Sequence, residues 1–325
     1  MLRLFDNANY DLLGARKKAY VATGLMAIVG LLALAVRGVN SSIEFTGGTL
    51  IQVRAVDSTI SIGAIRSALE GHGISGSELS TFGTDRDFLI RARVEADTSG
   101  TDSEAQATAA AVGRALTEAF GTGSYTVERV EAIGPKVGGE LRTRAMLAIL
   151  LSFGATLIYV TFRFEWRFGI ATIAATAHDI VLTVCFIGLM HLEISLLVIA
   201  AILTIVGYSM NDTIVVFDRV RENLHKYKRE NFVEILNRSV NETLPRTVLT
   251  GGSTIAATLS LLIFAGPVIR AFAWVMAFGL VVGTFSSIFI AAPVLLAIER
   301  RWPGEDVRGA KSITAAAPAG VSQPT

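Results

Sequence analysis

The sequence predicts a polytopic α-helical membrane protein: six transmembrane helices, with one α+β domain inserted between the first and the second. Two observations carry that reading. The 325 residues are 51% hydrophobic and only 18% charged, with a mean hydropathy of +0.52, whereas a soluble domain carries roughly 25% charged residues. The apolar residues are also gathered into six blocks, near 20–36, 145–162, 169–190, 194–217, 248–265 and 271–298. Each block is long enough to cross a hydrocarbon core of about 30 Å at about 1.5 Å per residue.

The same composition excludes other classes. A net charge of +1 leaves no basic excess for nucleic acid. Cys185 is the one cysteine, so neither an intrachain disulfide nor a thiolate metal site can form. The four histidines, His72, His178, His191 and His225, lack metal-ligand spacing. No G-x-x-x-x-G-K-S/T motif offers a phosphate cradle for ATP. No cofactor is expected from these residues, and any work the chain does would draw its energy from a source other than ATP.

Taking the elements in order, residues 1–18 form an N-terminal flank and 19–36 the first span. Arg16-Lys17-Lys18 before the apolar run and Ala33-Leu34-Ala35 within it also fit a signal peptide. The run reaches spanning length, and its cleavage would leave the other five spans oriented as before. The positive-inside rule sets that orientation. Basic residues gather in the flank (Arg3, Arg16, Lys17, Lys18), in the turn holding Arg163 and Arg167, in 218–246 with seven, and after 298. The opposite short loops hold only Glu193 and Arg270. Both termini are therefore expected in the cytoplasm and residues 37–143 outside it.

Within 37–143, Leu50 to Arg54 alternates as a strand should, and Ile62, Ile65 and Leu69 keep helical spacing up to Gly71. Strands follow at 78–82 and 88–94. A helix is predicted over 104–120, with Ser103-x-x-Gln106 as a capping box, and a last strand over 125–133. Strand–helix–strand–strand–helix–strand is the order of a ferredoxin-like module. It contains no catalytic constellation, which points to a binding or spacer domain.

The five-helix part, 144–298, holds three ionisable residues inside spans: His178, Asp179 and Asp212. Such residues are functional hypotheses by default, since a central Asp costs roughly 3 kcal/mol to insert. Asp179 lies near the middle of its span. Asp212 lies in an unusually polar patch, Tyr208-Ser209-Met210-Asn211-Asp212-Thr213, about 8 Å from the end of its helix by rise. Arg246 opens the fifth span, within reach of Asp212 for a long side chain. Breaking such a pair would let the acid take up a proton, which makes Asp212 and Arg246 a relay candidate, with Asp179 and His178 as secondary members. A structural ion pair, or polar packing between helices, explains the same residues. Gly207, Ser209, Gly251, Gly252 and Ser253 place small residues in the fourth and fifth spans, where helices approach closely.

Residues 218–246 are amphipathic, with Val220, Leu224 and Tyr227 at helical spacing. They are expected to lie along the membrane surface, basic side towards anionic lipid. The tail 299–325 turns Ala-, Pro- and Ser-rich and is expected to be disordered.

Taken together, these residues resemble the SecF family, the smaller membrane subunits of the bacterial SecD–SecF protein-export complex. The resemblance is carried by Phe45-Thr46-Gly47-Gly48, Gly134-Pro135-Lys136-Val137-Gly138, His178-Asp179, Gly207-Tyr208-Ser209-x-Asn211-Asp212-Thr213 with its continuation to Asn223, and Glu242-Thr243-Leu244-x-Arg246-Thr247. It implies a bacterial inner-membrane location and pairing with a SecD-like subunit related to resistance–nodulation–division transporters. It also implies action on the Sec channel and on the polypeptide crossing it. The coupling ion would be the proton, with Asp212 and Arg246 tied to its movement. One charge crossing 100 mV is worth roughly 2.3 kcal/mol, enough to bias a packed two-state helix arrangement. A transporter half using the same relay, and a scaffold whose membrane charges are structural, remain the alternatives.

Overall fold

A computed structural model describes residues 9–56, 60–74, 77–92, 102–163 and 165–302. The side chain of Ser103 and the tail beyond 302 lie outside the described residues, and with them the expected capping box and disorder.

Among the described residues, six helices are long and apolar enough to cross a membrane. They are α1 (Arg16–Arg37), α5 (Pro135–Arg163), α6 (Trp166–Leu189), α7 (Leu196–Lys226), α8 (Phe232–Phe264) and a composite sixth span. The sixth consists of α9 (Pro267–Ser286), a π-helical turn at Ser287–Ala291, and α10 (Ala292–Arg301). Between α1 and α5 lie α2 (Ile43–Thr46), β1 (Gly48–Ala55), α3 (Ile62–Gly71), β2 (Glu78–Phe82), β3 (Thr84–Ala92), α4 (Asp102–Phe120) and β4 (Tyr125–Ile133). Helix α5 begins at Pro135, so residues up to 143, expected in the inserted domain, already belong to the second span's helix. At the other end α10 takes in residues 299–301, expected in the tail.

The four strands among the described residues form one antiparallel sheet in the order β2-β3-β1-β4. Alternation along β1 sends Ile51, Val53 and Ala55 to one face, and the register sets Ile51 against Ile90 and Val53 against Phe88. Ile65 and Leu69 of α3 and Val112 and Leu116 of α4 close over that face.

In the membrane part, α6, α7 and the sixth span form the buried centre, while α1, α5 and α8 are mostly peripheral. Two apolar clusters fill the centre. One contains Ile187, Ile202, Ile205, Val275 and Leu280. The other contains Phe168, Phe217, Leu236, Ile288 and Leu295. On each central helix, polar residues stand between the two clusters: Asp179 on α6, Ser209 and Asp212 on α7, Ser286 and Ser287 on the sixth span.

Residues 218–246 do not lie along the membrane surface. Their apolar positions, Val220 and Leu224 on α7 and Ile235, Leu236 and Val240 on α8, are buried against each other and α10. Val220 and Leu224 continue the stripe of the preceding span without a helix breaker, so the apolar face is used in a protein hairpin rather than on lipid. Asn223 Nδ2 donates to Ser239 Oγ at 3.0 Å, and Arg219 Nε to Glu242 Oε2 at 2.6 Å, fastening the hairpin. Residues 9–15 dock on the same end: Tyr10 N donates to Asn241 Oδ1 at 2.9 Å.

Small residues set the helix spacing. A Cβ on Gly30 of α1 would stand 2.3 Å from Cys185 Cβ and 2.8 Å from Cys185 Cα of α6. A Cβ on Gly279 of α9 would stand 2.1 Å from Ile205 Cδ1 of α7, and one on Gly283, 3.0 Å from Ser209 Cβ. Gly30→Leu is expected to separate α1 from α6 and to destabilise the purified protein by about 1–3 kcal/mol, the range for overpacked cores. Gly24→Leu, on the same helix with no atom within 4 Å of its would-be Cβ, should leave the thermal midpoint in detergent unchanged.

Candidate functional site

Asp179 and Asp212 are almost wholly buried, at 1% and 9% exposure. Hydrocarbon offers a carboxyl group no partner, so both must find one within the bundle. Asp179 Oδ2 accepts from Ser209 Oγ of α7 at 2.5 Å and from Ser286 Oγ of α9 at 2.6 Å. Its Oδ1 lies 3.0 Å from Nδ1 of the neighbouring His178. Asp212 Oδ1 accepts from Thr247 Oγ1 of α8 at 2.8 Å, and Oδ2 from Ser287 Oγ at 2.8 Å.

Helical geometry explains this division. Ser209 and Asp212 are three residues apart, so they share one face of α7. Adjacent residues differ by about 100° around a helix, so Ser286 and Ser287 address different neighbours, one on α6 and the other on α7. The expected ion pair between Asp212 and Arg246 is not formed among the described residues: Asp212 is held by two hydroxyls, and Arg246 is exposed. The same angular step is the reason. Thr247 faces α7, which turns the preceding residue away from it.

The remaining expected site residues are placed as follows. Tyr208 is half-buried beside α8, where a Cβ on Gly251 would stand 3.5 Å from its hydroxyl and 3.1 Å from Thr284 Oγ1. Thr213 is buried, and its Oγ1 has no hydrogen-bond partner among the described residues. His178 Nε2 is likewise buried without a partner. Asn211 is exposed. Three residues that matter were missed by sequence reasoning as site members: Ser286, Ser287 and Thr247. A Ser-Ser pair inside an apolar span is a visible signal for the first two. Gly279-x-x-x-Gly283, the spacing that brings α9 against α7, is another.

Further contacts at the two ends of the bundle flank this layer. Arg167 Nη1 donates to Glu299 Oε2 at 2.6 Å, both side chains about nine-tenths buried, which pins α10 to the start of α6. At the opposite end the inserted domain grips α7. Glu44 Oε2 accepts from Leu196 N at 2.6 Å, capping that helix, and Arg91 pairs with Glu193 just before it. Ser42 N donates to Ile194 O at 2.9 Å, and Ile194 N to Asn40 O at 2.8 Å. Gly47 and Gly48, at φ of 70° and 125°, turn the chain here. A Cβ on Gly138 of α5 would stand 3.0 Å from Gly47 N, so two of the glycine motifs meet at this junction. A cavity of about 270 Å³ lies beside it, lined by Asn40, Thr46, Gly47, Glu78 and Arg91 among others.

Comparison with known proteins identifies the family. Residues 112–301 match the family model described as protein export membrane protein SecD/SecF, C-terminal, and residues 32–58 match the SecD/SecF GG motif. The protein translocase subunit SecF of Gemmatimonas aurantiaca is 50% identical over 318 residues, 97% of this chain and 95% of that one. The chain belongs to the SecF family. The SecF of Rickettsia bellii is 37% identical over 295 residues, 90% of this chain and 95% of its own. Among solved structures, the crystal structure of SecDF, a translocon-associated membrane protein from Thermus thermophilus, superposes with a TM-score of 0.80 at 35% identity. It covers 93% of this chain, which spans 40% of the length of that one. SecDF in its super-membrane-facing form gives a TM-score of 0.65 at 36% identity. The two glycines at the domain junction, Gly47 and Gly48, fall inside the segment 32–58 that matches the SecD/SecF GG motif.

Replacing Ser209 by Ala removes one of the two hydroxyls on Asp179. It is expected to lower stability by about 1 kcal/mol, the scale of a hydrogen bond between membrane helices. Ser209→Thr, which keeps the hydroxyl, should restore the thermal midpoint in part.

Proposed function

We propose that this chain is an accessory subunit of the Sec protein translocase. With a SecD-type partner, it uses the proton-motive force to promote export of polypeptides across the bacterial cytoplasmic membrane. The observation that carries the reading is the set of partners around Asp212. A hydroxyl can donate to a carboxylate and can equally accept from a carboxylic acid. An acid held by hydroxyls on different helices is therefore satisfied in both protonation states, whereas a buried arginine partner would hold it ionised. Asp212 is such an acid, on the helix whose N-terminus is tied to the inserted domain.

In this reading the proton is the coupling ion and no cofactor takes part. The inserted domain is extracytoplasmic and ferredoxin-like. Its antiparallel order β2-β3-β1-β4, with both helices on one face, supports the fold, and the distribution of Lys and Arg supports the orientation with cytoplasmic termini. Lipid-facing helices, a SecD-type subunit, the Sec channel and the moving polypeptide are its partners. Arg246 acts from the exposed side of α8, beside the acid rather than on it. Loss or gain of a proton at Asp212 changes its contacts with α8 and the sixth span. Helix α7 then carries the change about 24 Å along its length to Leu196, at about 1.5 Å per residue, where Glu44 and Arg91 of the inserted domain are attached.

Export measured in inverted vesicles carrying the chain with its partner tests this reading. Asp212→Asn is expected to abolish stimulation by a proton gradient, and full stimulation in that variant would overturn the relay. Glu44→Ala removes one of the two side chains that cap α7 and leaves Ser195, whose hydroxyl accepts from Val198 N, costing about 1 kcal/mol locally. It should reduce the stimulated rate several-fold while the variant still accumulates in the membrane; an unchanged rate would show that the inserted domain is not driven through α7.

A further inference from the structure

Ser286 and Ser287 stand side by side where the sixth span leaves α-helical geometry, and each is bonded to a different acid. Both hydroxyls have a second acceptor. Ser286 Oγ lies 3.1 Å from Gly283 O, and Ser287 Oγ lies 2.9 Å from Thr284 O. A hydroxyl carries one proton, so each serine can serve the carboxyl group or the carbonyl, not both at full strength. These carbonyls stand at the α-to-π junction, where Ser287 N also approaches Gly283 O.

We propose that Ser286 and Ser287 form a hydroxyl switch that reports the protonation of both acids to the backbone of the sixth span, and so couples Asp179 to Asp212. The proposal rests on the reading of Asp212 as a proton carrier and adds Asp179 as its counterpart. With the acid ionised, the serine proton points at Oδ2. When a proton arrives on Oδ2, the new carboxyl O–H donates to the serine oxygen, and the serine turns its own proton to the carbonyl of residue 283 or 284. One O–H bond forms on the acid and no covalent bond of the serine breaks. A side-chain donor on these carbonyls competes with the backbone N–H groups that would bond them in a regular α-helix. Protonation thereby shifts the balance between the α-helical and π-helical forms of the same turn, a kind of turn concentrated at functional sites.

The surroundings convert that local choice into coupling. On one side of the π turn, Gly279 and Gly283 are pressed against Ile205 and Ser209 of α7. On the other, Glu299 is held by Arg167. A change in the turn is taken up between these fixed points and moves both serines together, since they are adjacent.

The ionisable groups around the pair are few. Among the described residues, His178 acts on Asp179 from its own helix, and Tyr208 lies near Asp212 on α7. Helix α1 has no charged side chain between Lys18 and Arg37, α9 carries only Arg270 at its far end, and α5 has no charged side chain between Arg144 and Arg163. On α8, Glu242 is engaged by Arg219, and Arg246 is exposed.

The test is infrared titration of the full chain in lipid vesicles with isotope-labelled aspartate, assigning the two buried carboxyl bands by Asp179→Asn and Asp212→Asn. Ser287→Ala should shift the titration of the Asp179 band by about tenfold in proton affinity, although Ser287 touches only Asp212; that is the scale of one hydrogen bond to a charged group. Ser287→Thr should reverse the shift. A response confined to the Asp212 band would overturn the proposal. Where Ser287→Ala fails to fold, Ser286→Ala read at the Asp212 band asks the same question from the other side, since coupling is reciprocal. The bands are read without export, so gradient-stimulated export in Asp212→Asn would sink the relay reading and leave the band coupling to stand or fall by itself.

Discussion

Two carboxyl groups buried among apolar helices, each satisfied by hydroxyls from its neighbours, are the constraint on which the membrane part depends. Burying such a group without hydrogen bonds is prohibitive in an apolar medium. Four spans must therefore hold one mutual rotation. Helix α6 presents Asp179 to Ser209 and Ser286, and α7 presents Asp212 to Thr247 and Ser287. The apolar clusters on either side fix the helices by shape. The polar layer between them fixes which faces meet, because a rotation that preserved apolar contact would still leave a carboxyl unpaired.

Hydroxyl-to-carboxyl distances of 2.5–2.8 Å require backbones to approach closely, and the glycines supply the approach. Gly279 and Gly283 bring α9 to α7 on the two turns before the serine pair, and Gly251 lets α8 sit against Tyr208 and Thr284. The π turn follows at once. An extra residue in one turn resets the phase of the sixth span, so that Ile288, Ala291, Ala292 and Leu295 face the second apolar cluster after the serines have faced the acids. Without that reset, one helical phase would have to satisfy the close-packed glycine face, two acids and the second cluster.

The sequence disclosed the acids because a charge stands out in an apolar run. Their partners were harder to see. Ser and Thr are common in membrane helices, and whether Ser286 meets an acid depends on how α9 crosses α6, which no local pattern encodes. Arg246 shows the opposite error: its place at the opening of the fifth span and its long side chain suggest contact with Asp212, but one helical step of about 100° gives that contact to Thr247 instead. The surface placement of 218–246 failed similarly. Its amphipathic pattern is real, but the pattern does not specify whether its apolar face meets lipid or, as Val220 and Leu236 do, another helix. By contrast, the inward and outward residues of β1 follow directly from alternation, since Ile51 and Val53 have only two faces to choose from.

Helix α7 is the element common to every part of this arrangement. Its N-terminus is capped by Ser195 and, from the inserted domain, by Glu44, its middle carries Ser209 and Asp212, and its last turns are tied to α8 through Asn223 and Arg219. Because Ser209 and Asp212 share a face, a small rotation of α7 alters both buried acids at once, one through its donor and the other through its own position. The helices around it differ in freedom. Large apolar residues are exposed along α1, α5 and α8, such as Leu32, Leu150 and Leu249, leaving those surfaces for lipid or a partner subunit, while α6, α7 and the sixth span are enclosed. In the proposed relay, a change at the acids therefore arises inside a shell, and α7 is the central helix that carries it from the polar layer to the inserted domain.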